Sequence, residues 1–277
     1  MTSPRSPSHS VGARVSAVEL SSVSVRLGGT DVVRDVSAVL EEGGWAGLIG
    51  PNGAGKTTIL RSIAGLVPYA GSVRVGGDEV ARLGRMRVAR RVALVPQEPV
   101  LPEDMRVADY VLLGRTPHVA AFSRESTQDL GVAGTALERL DLLGFARRRL
   151  GSLSGGERQR AVLARAITQE APILLLDEPT AALDVGRQQQ VLELVDDLRR
   201  ERGLTVVFAM HDLTLAGQFA ERLLLVDDGR LVAAGEPAEV LTEELVATHY
   251  GASVRIVADP ELGVVVVPAR ALAEADL

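Results

Sequence analysis

Cysteine is absent from the 277-residue chain, which excludes a disulfide framework and is compatible with a reducing compartment. No apolar run approaches the roughly 18–20 residues that a membrane span needs, the longest being pieces such as residues 173–176, 206–210 and 264–267. The opening residues, MTSPRSPSHSVG, are rich in Ser and Pro and lack the apolar core of a signal peptide, so residues 1–14 are expected to form a disordered tail. An excess of positive charge is missing as well. The net charge is −6, which gives no general attraction to nucleic acid or anionic lipid. Lysine is the scarcest cation: Lys and Arg together number 30, yet Lys56 is the only lysine. No internal repeat is found.

In bulk the chain is ordinary, with 46% hydrophobic and 24% charged residues and length enough for a substantial core, as one large domain or a large and a small one. Its exceptional stretch is GPNGAGKTT, formed by Gly50, Pro51, Asn52, Gly53, Ala54, Gly55, Lys56, Thr57 and Thr58. It fits G-x-x-x-x-G-K-[ST], a pattern that arises by chance in about 1% of chains this long, so its context decides. An apolar run (WAGLI) precedes it and a helix-like segment (KTTILRSIA) follows, which is the strand–loop–helix setting of a phosphate cradle. Glycines let backbone N–H groups turn onto phosphate oxygens, and the helix start adds partial positive charge. Lys56 can reach the β- and γ-phosphates, and the Thr57 hydroxyl can bind Mg²⁺. A chain that otherwise uses Arg keeps its one lysine where a compact ammonium must touch phosphate.

Around this loop the pattern reads as α/β. Residues 15–40 alternate as two or three antiparallel strands with Gly28-Gly29 as a turn, and short strands are expected at 72–75 and 91–95. Residues 98–150 carry no strand signal; helices at 107–113 and 136–143 predict a helical insertion. A helix from 155 to 169, a fully apolar strand at 173–176, a helix at 187–202, a strand at 205–210 and a short helix at 213–220 follow. A hairpin turns at Asp228-Gly229, a helix is expected over 237–248, and two Val-rich strands close around residues 260–263.

Four further places in the chain gain meaning beside the phosphate loop. ILLLDE sets Asp177 and Glu178 at the C-terminal edge of a buried strand, where parallel sheets hold ligands. One carboxylate there can hold Mg²⁺ and the next can orient or deprotonate the water that attacks the γ-phosphate. Gln97 and His211, each just after a strand, can contact Mg²⁺ or water and the γ-phosphate respectively. LSGGERQR then opens a helix at Ser154, Gly155, Gly156 and Glu157, a second helix start suited to an anion. One ATP needs one cradle, so the economical reading gives this one to the ATP of another copy.

Taken in order, GPNGAGKTT, LSGGERQR, ILLLDEPT, Ala181-Ala182-Leu183-Asp184 and His211 resemble the ATP-binding cassette (ABC) ATPases over residues 15–251. The resemblance implies a P-loop ATPase with a RecA-like core, an antiparallel β subdomain and a helical subdomain at about 98–155, with residues 252–277 as a C-terminal β-hairpin extension and tail. It implies a head-to-tail homodimer with two ATPs between the phosphate loop of one copy and the LSGG segment of the other. Residues 50–58 are then Walker A, Gln97 the Q-loop glutamine, Ser154 to Glu157 the signature, and Asp177 the Walker B carboxylate for Mg²⁺. Glu178 is the general base, Asp184 the D-loop aspartate and His211 the switch histidine. The family's adenine-stacking aromatic is replaced by Leu27, which leaves Leu27 or Val33 to make an apolar contact.

The string LGRTPH, residues 113–118, and the tail from Tyr250 to Pro268 resemble a subgroup that imports iron–siderophore complexes, haem and cobalamin. That subgroup implies membrane permease subunits, a substrate-binding lipoprotein and a place on the cytoplasmic face of the membrane.

Overall fold

The computed structural model describes residues 16–120, 123–180 and 184–269, so the expected N-terminal tail lies outside the described residues. In chain order the strands are β1 (Ser16–Leu27), β2 (Thr30–Glu41), β3 (Trp45–Ile49), β4 (Ala70–Val75), β5 (Asp78–Glu79), β6 (Val92–Val95) and β7 (Ile173–Asp177). They continue with β8 (Thr205–Ala209), β9 (Arg222–Asp227), β10 (Arg230–Gly235), β11 (Val254–Asp259) and β12 (Gly263–Pro268). The helices are α1 (Lys56–Ile63), α2 (Arg85–Ala89), α3 (Val107–Leu112), α4 (Thr127–Arg139) and α5 (Gly155–Thr168). After them come α6 (Val185–Arg202), α7 (Leu213–Phe219), α8 (Pro237–Val240) and α9 (Glu243–Tyr250).

Short continuous apolar runs build the central sheet, whose strand order is β10-β9-β3-β8-β7-β6. All neighbours in it are parallel except the β9–β10 hairpin. Every residue of β3, β7 and β8 is buried, as expected of strands covered on both faces. The pleat splits them by parity. Leu174, Leu176, Val206 and Phe208 join a core shared with α3 to α6, while Ile173, Leu175, Val207 and Ala209 join a second core. That second core is closed by α1 and by an antiparallel sheet of order β2-β1-β4-β5, whose inward valines include Val18, Val23, Val25 and Val33. The alternation that marked β1 and β2 in sequence is this single buried face.

Two helices differ from expectation. The helix expected over residues 136–143 runs instead from Thr127 to Arg139. Ser126 and Asp129 form a reciprocal capping box at its start, and the chain leaves the helix at Asp141 with φ 53°. Gly131 and Gly134 hide this helix in sequence, and packing on α3 and α5 outweighs their low propensity. The single helix expected over 237–248 is two. Thr242 caps α9 by accepting from Leu245 N, and its extended backbone breaks the run. Neither β5 nor α2 was legible in the sequence.

Asp129 also accepts from Arg115 Nε at 2.8 Å. Hydrogen bonds from Ser126 first, then Arg115, hold its carboxyl down to about 2. A depressed folded-state value gives stability that is present above the ordinary carboxylate range and lost as pH falls toward the folded value. The stability difference between the parent and Asp129→Asn, read from denaturant midpoints, should therefore be constant above pH 5 and shrink steadily on acidification toward pH 2.

Candidate active site

The phosphate loop begins where β3 ends. Gly50 sits at φ 148°, and a Cβ there would lie 2.0 Å from the Val226 carbonyl oxygen of β9, so no side chain fits. The loop is braced from the far side by the Asp228-Gly229 turn, where Gly229 N donates to Ala54 O at 3.1 Å. Lys56, buried at the start of α1, donates from Nζ to Gly50 O at 2.7 Å and Pro51 O at 2.9 Å. Two ammonium hydrogens thus stiffen the loop, and the third is left for a ligand oxygen. Burial pushes the Lys56 ammonium down, opposed by the charges of Glu178 and then Asp177.

The carboxylates come from the next parallel strand but one. Asp177 ends β7 nearly fully buried and accepts from Thr57 Oγ1 at 2.9 Å. Burial pushes its carboxyl up, and the Thr57 hydrogen bond works against that shift. Glu178 follows at φ 47°, a strained setting for a non-glycine residue, with its amide donating to Ala209 O of β8 at 2.9 Å. Gln97, two residues past β6, donates from Nε2 to Glu178 Oε2 at 2.6 Å. His211, two residues past β8, places Nδ1 3.8 Å from the same oxygen.

These groups share one cavity of about 400 Å³, lined by Asn52, Gly53, Ala54, Lys56, Thr57, Gln97, Glu178 and His211. Asp177 stands behind Thr57. Leu27, at the end of β1, does not line that cavity and is 37% exposed. Replacing Leu27 with Tyr should tighten ATP binding by about 2–10-fold through stacking worth ~0.5–1.5 kcal/mol, and an unchanged nucleotide titration would dispose of the contact.

The Ser154 segment lies outside the cavity. Ser154 caps α5 in a capping box with Glu157, whose carboxylate accepts from Ser154 N at 2.7 Å. That hydrogen bond is the main reason the Glu157 carboxyl is held low. Gly156 lines a separate cavity of about 240 Å³ with Arg160 and Arg187. Asp184 caps α6 through Arg187 N at 3.0 Å, while Ala181, Ala182 and Leu183 lie outside the described residues. Sequence reasoning missed the bracing role of Gly229. Its Asp-Gly signal marks the hairpin turn, but nothing in the pattern says that the turn abuts the loop.

The site suits Mg²⁺. Thr57 hydroxyl and Asp177 carboxylate are hard oxygen donors within a hydrogen bond of each other, and Gln97 adds an amide oxygen across the cavity. Burial disfavours the charge on Asp177, and a cation beside it would offset that cost.

A glycine-rich turn from a buried parallel strand into a helix, with two carboxylates at the end of the next strand but one, defines a P-loop nucleotide-binding protein. The chain belongs to the ABC transporter family, whose profile matches residues 33–181, more than half of it. It is 43% identical over 263 residues to the cobalamin import ATP-binding protein BtuD of Halobacterium salinarum, covering 94% of this chain and 66% of that one. The chain thus spans just under two thirds of that relative. It is 37% identical to the ferric enterobactin transport ATP-binding protein FepC of Escherichia coli, over 84% of this chain and 86% of that one. Among solved structures, an inward-facing conformation of a proposed metal-chelate type ABC transporter matches with TM-score 0.79 and 30% identity, over 92% of this chain and 98% of that one. The fold is therefore that of an ABC ATPase domain.

Proposed function

We propose that this chain is the ATP-hydrolysing subunit of an importer, working as a homodimer on the cytoplasmic face of a membrane beneath permease subunits, with a substrate-binding lipoprotein in the complex. The observation that carries the reading is the split between a complete phosphate and carboxylate cavity and a signature helix start that lies outside it. Residues 50–58 hold the phosphates of ATP, and the Ser154 to Glu157 segment serves the ATP of the second copy. Thr57, Asp177 and Gln97 would hold Mg²⁺, which when bound neutralises charge on the phosphates. Glu178 takes the proton of the attacking water, with Gln97 fixing its carboxylate and His211 free to turn to the γ-phosphate. Asp184 stands at the edge of the copy-to-copy interface.

An apolar groove supports a permease partner. Leu66, Met86, Val100 and Leu113 are exposed along one cavity of about 730 Å³ between the phosphate-loop core and the α3 region. Among the described residues no helix is long and apolar enough to cross a membrane, so a spanning partner would supply the pore. We divide the chain accordingly into a cassette over 15–251, with a helical subdomain at about 98–155, and a C-terminal hairpin extension.

For cargo we propose an iron complex, a ferric siderophore, on the LGRTPH string and the enterobactin-transport relative. Cobalamin is the second reading, favoured by the 43% identity to the halobacterial protein, and haem shares the subgroup. Uptake of labelled ferric siderophore, haem and cobalamin, in cells with and without the gene, tests the assignment. Loss of siderophore uptake is expected; loss of cobalamin uptake alone would transfer the cargo, and loss of none would end the importer reading.

A further inference from the structure

The LGRTPH string takes no part in the phosphate cavity, yet it contains the most heavily bonded buried cation of the described chain. Arg115, 5% exposed, donates from Nε to Asp129 Oδ1 at 2.8 Å and from Nη1 to Thr168 O at 3.0 Å and Glu170 Oε2 at 2.7 Å. Two of these partners, Thr168 and Glu170, lie at the C-terminal end of α5, the helix whose other end is the signature. Gly114 lies flat on that end: a Cβ there would meet Arg165 O at 2.3 Å. His118 Nε2 donates to Gln169 O at 2.8 Å, and since a carbonyl only accepts, that nitrogen carries the proton.

Gln169 then reaches the ATPase core. Its Nε2 donates to Ala89 O at 2.5 Å and Val92 O at 2.8 Å, the latter the first residue of β6. Arg90 Nε returns the link by donating to Pro117 O at 2.6 Å. The strand that starts at Val92 delivers Gln97 to Glu178 at its far end. One cluster therefore pins the rear of two elements, the signature helix and the strand that leads to Gln97.

We infer that Arg115, His118 and Gln169 form a clamp of positioning residues that sets where the signature segment stands when it meets the ATP of the second copy. The inference rests on the two-copy site proposed above. The lever arm gives it force. The 14 residues of α5 span roughly 21 Å, so a 10° tilt released at the clamp would carry Ser154 by about 3–4 Å. Catalytic groups need placing to about 0.5 Å.

The test uses the full chain in two variants. Gln169→Ala cuts the link to the core without touching a charge, and Arg115→Lys keeps the charge but not the fork. Because the chain has no cysteine, Ser152→Cys and Asp197→Cys, both exposed, can carry spin labels that report the signature end against α6. In both variants the label-to-label distance distribution should broaden and kcat fall by about 10–10²-fold, the usual cost of a misplaced group. The Kd for MgATP should stay near the parent's in both variants. The thermal midpoint should stay near it in Gln169→Ala, whereas loss of the buried Arg115 fork lowers it in Arg115→Lys. An unchanged distance distribution, an unchanged kcat, or a kcat loss matched by a fall in thermal midpoint in both variants would overturn the clamp. A parent without ATPase activity would instead overturn the proposed function, and the label widths would still decide the clamp.

Discussion

Glu178→Gln should keep ATP bound and stall turnover by about 10²–10⁴-fold, the range for loss of a general base. The substitution is nearly isosteric, and the contact with Gln97 Nε2 survives because a glutamine side-chain oxygen can still accept it. What goes is the capacity to take a proton from water. The left-handed backbone at Glu178 and the tether of its amide to Ala209 O fix that carboxylate at one spot, so no neighbour replaces it. Asp177 is engaged with Thr57, and His211 is 3.8 Å away on the exposed side. Single-turnover phosphate release beside nucleotide retention on a filter separates the two effects. Near-normal release would remove Glu178 from the base role.

Lys56→Arg should fail although it keeps the charge. The ammonium sits in a buried fork between Gly50 O and Pro51 O, which a point donor satisfies and a planar guanidinium does not. Losing one charge-assisted contact to phosphate, worth ~1.5–3 kcal/mol, predicts about a 10–10²-fold weaker Kd for MgATP before the strain on the loop is added. Burial disfavours the charge on Lys56, with Glu178 and Asp177 acting the other way, so a phosphate at its free hydrogen would further favour the ammonium. Isothermal titration with MgATP checks it; wild-type affinity would show that the loop glycines alone carry the phosphates.

The parts of this site that were legible in sequence are those built from neighbours. Gly50 to Thr58 and Ser154 to Glu157 are each one turn of chain, and the run of β7 announces the edge where Asp177 and Glu178 stand. The contacts that join them were not legible, because Gln97 meets Glu178 across 81 positions and Thr57 meets Asp177 across 120. The same limit hid the Arg115 cluster, whose partners stand 14, 53 and 55 positions away. In the fold, continuous or alternating apolar runs fixed the sheets, whereas α4 was displaced by its two glycines and by a cap that lies in a polar stretch.

The claim that the hydrolytic site is completed by a second copy is tested most directly by the mass of Glu178→Gln in solution, by light scattering on a sizing column. With MgATP, which this variant is expected to hold without turnover, a dimer is predicted, and with MgADP a monomer. Adding Ser154→Arg to the same chain should abolish the dimer while leaving MgATP binding to the monomer intact. A monomer in MgATP, or a dimer indifferent to both nucleotide and Ser154, would contradict the two-copy site.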